Sequence, residues 1–488
     1  MMKFICQCSD VEKSSENVFT DGESSFFYKD LPEALNRFDA WLSSHRIDYT
    51  DCLIVECDND VQSAIVLLFL LEKEYNFLVL PKDQKSSQNI GSFQTLPTFC
   101  RYRIIINSMT DKGKDAFYNP SHWLQVIPVE GYHQPNHTSQ GKLYLKTSGS
   151  TGRPKIAVIS NAALQGNARN TAERLKLTSS DRIAFPVAIF YSFGLTTAFL
   201  SGVAAGASID IQKGSNLLRY LKRERVFMPN VAFMTPIFCE TLVKGRRNAY
   251  PYRLTVAAGD RFRGNVFTQY EALSGCLVNL YGSTEMGAIS AGSPEDSSDI
   301  RSQYVGKPMS GVQLRIKELN ENDYQGLEGV GEVWCHHPFR FEGYVDEGGQ
   351  AVSIGNDDQE GWFRIKDLGR LLPEGYIQIF GRSDHSVNRD GRIVFFSDIE
   401  KAMASISGIE SVVVISKGDG RRGKGLIAFC VPVKGAHSTP GMIQNACFNV
   451  LPKNAIPDHI ALIDALPLLQ SGKIDRQQLY DSFDFSIR

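Results

Sequence analysis

This chain carries no excess of charge of either sign. Its 488 residues hold 52 Lys and Arg against 54 Asp and Glu, a formal net charge of -2, so nothing favours a polyanion such as nucleic acid as a partner. Blocks of like charge, low-complexity tracts and repeats at solenoid spacing are also missing. The longest apolar run, Ala64 to Leu71, is far shorter than the roughly 18–20 residues that cross a bilayer. Met1 to Asp10 contains no sustained apolar stretch of a secretory leader. No membrane span and a soluble, cytoplasmic protein are expected. The ten cysteines lack metal spacing, since the nearest pair, Cys6 and Cys8, is C-x-C without a second pair or clustered histidines. Reduced, mostly buried thiols are expected, with no structural metal. His336 and His337 are adjacent and so point in different directions on a strand, which is poor chelating geometry. No G-x-S-x-G is found, so a nucleophile elbow is excluded.

What the chain has is alternation. Apolar spacing predicts a helix over Phe26 to Leu42, a strand at Cys52 to Cys57, a helix at Ala64 to Lys73 and a strand at Phe77 to Leu80. The pattern returns with strands at Arg182 to Phe185, Ser208 to Ile211 and Val231 to Phe233, and helices at Gly194 to Gly202 and Leu217 to Glu224. Strands alternating with helices imply layered α/β architecture. After Gly311 the character changes to β hairpins punctuated by glycine and aspartate, up to Gly381. Beyond Asp384 about 100 residues form a compact unit of small-domain size. It reads as helix, two strands and helix around Asp398 to Ala404, Ser411 to Ile415, Leu426 to Val433 and Met442 to Leu451.

The richest stretch is Thr147-Ser148-Gly149-Ser150-Thr151-Gly152-Arg153-Pro154-Lys155. It lies between two predicted strands and alternates hydroxyls with glycines before a terminal cation. Gly149 and Gly152 permit close backbone approach, the hydroxyls of Thr147, Ser148, Ser150 and Thr151 donate hydrogen bonds, and Lys155 adds charge, a combination suited to phosphate. It is not a Walker loop. Gly418 to Lys424 does fit G-x-x-x-x-G-K, but Gly425 replaces the hydroxyl residue and a β-rich segment follows where a helix is required, so a hairpin turn is the better reading.

The 147–155 stretch resembles the phosphate loop of the adenylate-forming superfamily, which contains acyl- and aryl-CoA synthetases, peptide-synthetase adenylation domains and luciferases. Four further stretches resemble that family in order and spacing: Asn279 to Glu285, Gly361 to Gly369, Gly381 to Asp384, and Leu466-Pro467 through Ser471 to Arg476. The resemblance implies an α/β fold with a large N-terminal portion of layered α/β subdomains and a β-rich subdomain, residues 1–383, joined at a hinge to a small α+β C-terminal lid, 384–488. It also implies ATP-dependent activation of a small carboxylic acid as acyl-adenylate, with Mg2+, followed by transfer to a pantetheine thiol of an acyl or aryl carrier protein, placed ahead of coenzyme A.

By the same resemblance Thr147, Ser148, Ser150, Thr151 and Lys155 contact the β- and γ-phosphates, with Gly149 and Gly152 in that loop, and Thr284 contacts the α-phosphate. Glu285 is the Mg2+ partner. Asp367 accepts hydrogen bonds from the ribose hydroxyls with Arg382 nearby, while Tyr281, Gly282, Ala258, Gly259 and Asp260 frame the adenine. Lys473 is the catalytic lysine, Asp384 the hinge, and Gly391 the residue beside which pantetheine passes. Arg389, Arg392, Arg421, Arg422 and Lys424 either bind the nucleotide end of coenzyme A or solvate the lid.

The sequence departs from the family pattern in three places. Ile365-Lys366 replaces the usual Thr-Gly before Asp367, Asn388 stands where many members have lysine, and Tyr191 replaces the histidine of His-Ser-Phe-Gly-Leu-Thr. Tyr191, Phe193 and Gly194 fall in the substrate and gate region. No acid lies between Tyr191 and Thr197, and a buried ammonium without a carboxylate partner is costly; an aryl or fatty acid lacking an α-amino group is therefore expected. Phe185, Phe190, Tyr191 and Phe193 could line an apolar slot or form ordinary core. Two alternatives stay open: adenylation coupled to an amine or oxygen acceptor, and a non-catalytic or partly active acyl-binding homologue within a biosynthetic assembly.

The role implied for Lys473 generates a direct prediction. Lys473→Ala abolishes adenylate formation, measured as pyrophosphate exchange, and spares thioester formation from supplied acyl-adenylate; an equal loss of both half-reactions contradicts the assignment.

Overall fold

The structure is a computed structural model. It describes residues 16–82, 96–109, 114–134, 140–147, 155–212, 216–262, 265–318, 329–353, 355, 358, 360–390, 392–420, 423–467 and 474–483. By contact the chain divides into two compact units, Met1–Gln313 with His336–Gly355, and Leu314–Cys335 with Asn356–Arg488.

Among the described residues the first unit contains two large sheets. The nine-stranded sheet runs, from one edge, Lys307–Pro308, Gly287–Ala291, Gly275–Ser283, Tyr252–Ala257, Val231–Met234, Arg182–Phe185, Ser208–Ile211, Val18–Thr20 and Ser25–Phe27. Its six middle strands are parallel, as expected where strand and helix alternate. The eight-stranded sheet runs Ala351–Val352, Gly343–Val345, Lys155–Ser160, Lys142–Thr147, Asn76–Pro81, Cys52–Cys57, Tyr102–Ile106 and Leu124–Pro128. Strands predicted at 52–57, 182–185 and 208–211 form with those bounds. The helix Val61–Glu72 is buried on every side, which explains why its sequence is apolar all round instead of showing a stripe. Asp60 caps it by accepting from the Ser63 amide at 2.8 Å.

Two helix expectations are corrected. The helix expected from Phe26 begins at Leu31, because Phe26 is drawn into an edge strand opposite Phe19. The helix expected from Gly194 is a π-helix over Phe193–Phe199 that passes into an α-helix at Leu200–Ala204.

The second unit holds a four-stranded sheet, in the order Gln313–Glu318, Gly331–His336, Phe363–Leu371 and Ile377–Arg382, and a five-stranded sheet. In the latter, Arg392–Phe395, Ser386–Arg389, Gly423–Pro432 and Ile409–Gly420 are neighbours in that order, with His459–Leu462 on Gly423–Pro432. The expected boundary at 383/384 falls within this unit, where the chain passes from one sheet to the other. The Walker-like segment lies where Ile409–Gly420 and Gly423–Pro432 run antiparallel, with Asp419 opposite Lys424 and Gly420 opposite Gly423, and is a hairpin. Thr439 caps the helix Pro440–Val450, whose first residue is the proline that such a position favours.

Arg389 is also corrected as a candidate for the nucleotide end of coenzyme A. It is 1% exposed and donates to the Ile456 carbonyl at 2.9 Å and to Asp458 Oδ1 at 2.9 Å. The other Asp458 oxygen accepts from the Leu426 amide at 2.8 Å. The guanidinium therefore ties strand to loop inside the fold. Arg421 and Arg422 lie outside the described residues.

Removing one partner of a buried ion pair strands the other, at a cost of about 3–5 kcal/mol. Asp458→Ala is accordingly expected to lower the stability of the second unit by that amount in urea unfolding, and a loss under about 1 kcal/mol, the range of surface ion pairs, contradicts the structural role of Arg389.

Candidate active site

The phosphate-loop candidates are carried by a strand pair. Lys142–Thr147 and Lys155–Ser160 run antiparallel, with Thr147 opposite Lys155, and Thr147 Oγ1 donates to the Lys155 carbonyl at 3.2 Å. The excursion between them begins and ends at one point of the sheet. Ser148, Gly149, Ser150, Thr151 and Gly152 lie outside the described residues.

Thr284 and Glu285 occupy the turn between Gly275–Ser283 and Gly287–Ala291. Tyr281 pairs with Ser290 but Gly282 pairs with Ala288, so Ile289 is an extra residue and the hairpin carries a bulge, a device that re-aims a strand end. Ser283 Oγ accepts from the Met286 amide at 3.1 Å, and Met286 is fully buried, which anchors the turn. Gly287 has φ +66, and a Cβ there would lie 2.3 Å from Asn167 Oδ1; glycine is therefore demanded on both counts. Ala258, Gly259 and Asp260 follow the carboxyl end of Tyr252–Ala257, the parallel neighbour of the Tyr281 strand. Carboxyl ends of parallel strands are where α/β sheets bind ligands. Asp260 is exposed and accepts from the Arg261 amide at 2.7 Å.

Residues that sequence reasoning missed hold this turn. The returning segment His336–Gly355 lays Gly343–Val345 against Lys155–Ser160, with Tyr344 opposite Ala157. The Phe341 amide donates to the Glu285 carbonyl at 2.7 Å. The Tyr344 hydroxyl donates to Glu285 Oε1. Lys155 Nζ sits 5.8 Å from the centre of the Tyr344 ring, a cation–π distance, and Phe341 packs edge-on against the same ring at 4.8 Å. Asn167, 4% exposed, donates to the Phe339 carbonyl at 2.8 Å and accepts from the Ala288 amide at 3.2 Å. The adjacent histidines were the available signal: His337, 3% exposed, accepts from the Phe339 amide at Nδ1, 2.9 Å, and meets the Ala288 carbonyl at Nε2, 3.1 Å. Those partners fix the neutral Nε2-protonated ring. Burial lowers its pKa to about 4, outweighing the Ala288 hydrogen bond.

The gate candidates Tyr191, Phe193 and Gly194 open the π-helix. A Cβ on Gly194 would stand 1.9 Å from the Ala188 carbonyl oxygen, so only glycine lets the helix start against that loop. Phe193 faces Phe233 at 6.3 Å and Phe190 meets Tyr191 at 4.8 Å. Phe185 is fully buried against Phe199 and is ordinary core. Thr196 from the π-helix, Asn167, Thr284 and Glu285 border one water-sized cavity. π-Helical turns concentrate at functional sites.

In the second unit Asp367 lies directly opposite Arg382, their closest approach being 3.9 Å. The Arg382 guanidinium forks onto Asp384 at 3.0 and 2.9 Å. Lys366, where the family has glycine, adopts φ +68 within the strand Phe363–Leu371, so the strand keeps a left-handed residue before Asp367 despite losing the glycine. Its carbonyl accepts from Ser383 Oγ at 3.0 Å.

Lys473 and Gly391 lie outside the described residues. At the base of the segment carrying Lys473, the Asp475 amide donates to the Pro467 carbonyl at 2.9 Å. Asp475 caps the helix Arg476–Ser482, and Arg476 pairs with Glu400 at 2.8 Å. Asp390 has φ +54, and Arg389 before it lies opposite Arg392 in an antiparallel strand pair.

A family model for AMP-binding enzymes matches residues 100–345, and one for the AMP-binding enzyme C-terminal domain matches 398–473. The chain is 24% identical over 340 residues to an indoleacetate–CoA ligase of Aromatoleum aromaticum, covering 68% of this chain and 65% of that protein. It is 24% identical over 425 residues to the oxalate–CoA ligase of Arabidopsis thaliana, covering 84% and 81%. The fold matches that of o-succinylbenzoate CoA synthetase from Bacillus subtilis, solved with its acyl-adenylate intermediate, with a TM-score of 0.79, 19% identity and 99% of both chains covered.

Because the His337 pKa is depressed on folding, the unfolded chain binds more protons between the ordinary value of about 6.5 and the folded value of about 4. Stability from this residue is complete above pH 6.5 and is lost as pH falls through that window, by on the order of 3 kcal/mol. His337→Gln is expected to shrink the acid-side drop in melting temperature between pH 6.5 and 4; an unchanged pH profile contradicts the neutral, doubly bonded ring.

Proposed function

The chain belongs to the AMP-binding enzyme family, and on that premise we propose that it is an AMP-forming acid–thiol ligase for an aryl or fatty carboxylic acid. A carboxylate oxygen attacks the α-phosphorus of ATP, the α–β phosphoanhydride bond breaks, and pyrophosphate leaves. A pantetheine thiolate then attacks the acyl carbon and AMP departs with the bonding pair. The names of the two relatives support coenzyme A as acceptor; a phosphopantetheinylated carrier protein offers the same thiol. Eight described cysteines are free, in keeping with a reducing cytoplasm.

The observation that carries the reading is the Thr284–Glu285 turn, with Lys155 across the Tyr344 ring. Phosphoryl chemistry is catalysed mainly by positioning and by charge stabilisation. On this reading the Lys155 ammonium, with Thr147 beside it in the strand pair, holds the terminal phosphates of ATP, and the Thr284 hydroxyl meets the α-phosphate. Asp367 takes the ribose hydroxyls. Lys473 bridges the α-phosphate and the attacking carboxylate. Among the described residues no group of three His, Cys, Asp or Glu could hold a metal, and one Glu285 carboxylate beside the Thr284 hydroxyl fits Mg2+, which takes one or two carboxylates and finds its other ligands in phosphate and water. When bound, Mg2+ neutralises phosphate charge. The second half-reaction follows rotation of residues 384–488 about Asp384, which withdraws Lys473 and presents Gly391 to the thiol.

For the substrate, the π-helical gate contributes rings and hydroxyls but no acid from Tyr191 to Thr197, and the Asp260 carboxylate is exposed. An α-ammonium would lack a buried partner. Pyrophosphate exchange over a panel of acids is expected to run at least about tenfold faster with aryl or fatty acids than with proteinogenic amino acids, a ratio worth roughly 1.4 kcal/mol. Preference for an α-amino acid contradicts the specificity, and exchange with no acid at all contradicts the activity.

A further inference from the structure

Glu285 is held by two contacts of different kinds. Its main chain is fixed by the Phe341 amide and its carboxylate by the Tyr344 hydroxyl. Tyr344 is 8% exposed and cannot swing freely: its strand is paired to Lys155–Ser160, Phe341 abuts one side of its ring, and Lys155 Nζ lies 5.8 Å from the ring centre. Lys155 and Ala157 share a face of their strand, so the cross-strand neighbour of Ala157 inevitably meets Lys155. Tyr344 thus meets Lys155 over the face of its ring and Glu285 through its hydroxyl.

From this arrangement we infer that Tyr344 is a positioning residue for the nucleotide–metal site. Its hydroxyl engages one oxygen of Glu285 and so orients the carboxylate, with the other oxygen directed to a divalent cation. The inference rests on the proposed role of Glu285 as the magnesium partner. Outer groups that orient a metal ligand typically change metal affinity by 10–100-fold when removed.

The test is calorimetric titration of the intact protein with ATP, in the presence and absence of Mg2+, for wild type, Tyr344→Phe and Glu285→Gln. Tyr344→Phe keeps the ring and its packing and loses only the hydroxyl. It is expected to weaken binding of ATP with Mg2+ by roughly tenfold or more, to leave binding of ATP without Mg2+ within about twofold, at most about 0.4 kcal/mol, and to melt close to wild type. Glu285→Gln is expected to abolish the enhancement by Mg2+. If Glu285→Gln abolishes it and Tyr344→Phe retains it in full, the positioning role is overturned while the metal assignment stands. If Glu285→Gln retains the enhancement, the metal assignment itself fails and the inference with it. Equal weakening of ATP with and without Mg2+ by Tyr344→Phe also overturns it, since that pattern belongs to general disruption of the site. Should Tyr344→Phe melt well below wild type, Tyr344→Trp, which keeps an aromatic ring and restores a donor, must recover the enhancement at least in part; its failure to do so in a folded protein overturns the role.

Discussion

The hold that residues 336–345 exert on Glu285 is the constraint around which the first unit is arranged. A hairpin tip is inherently loose, because its last residues have no neighbouring strand. Here a remote segment supplies what the hairpin cannot. The chain leaves the first unit after Gln313 and returns at His336; on returning it adds two strands at one side of the eight-stranded sheet and donates the Phe341 amide and Tyr344 hydroxyl to Glu285. His337 and Asn167 secure the same segment to Ala288 on the far side of the hairpin. His337 and Asn167 are buried, and their polar atoms are paired here, as burial requires.

The second unit shows how one motif serves two purposes. In Ile474-Asp475-Arg476 the aspartate caps a helix and ties the loop base to Pro467, while the arginine pairs with Glu400. Those jobs are structural, and they close the ends of the segment in which Lys473 sits. Arg389 likewise belongs to the fold, since its charge is spent on Asp458 and the Ile456 carbonyl. Lys366 keeps φ +68 in a place where glycine is free of strain. The backbone path before Asp367 is thus set by its surroundings, Ser383 among them, and not by the local residue.

Much of this was legible in the sequence for a simple reason. Short apolar runs bounded by turn residues announce buried strands wherever local pattern and tertiary demand agree, as at Cys52–Cys57 and Ser208–Ile211. The Thr147–Lys155 and Thr284–Glu285 stretches are contiguous, so the chemistry proposed for them can be argued from the residues without knowing what packs beside them. Phe26 misled because a helical period overlaps a three-residue edge strand whose partner, Phe19, is made available only by the sheet. The π-helix at Phe193–Phe199 has no propensity signature of its own; it is set by the close approach of Gly194 to Ala188. Tyr344 and Phe341 were invisible as site residues because their partners stand about 55 to 190 positions away, and no local period encodes such a pairing.

The central claim, that the returning segment fixes the Glu285 turn, is tested most directly by amide hydrogen exchange in the intact protein. If the segment is held as described, the Phe341 amide, bonded to the Glu285 carbonyl, and the Glu342 amide, bonded to the Val158 carbonyl at 2.8 Å, exchange as slowly as those of the adjoining strand Lys155–Ser160. Exchange of both at the rate of an open loop, with that strand still protected, contradicts it.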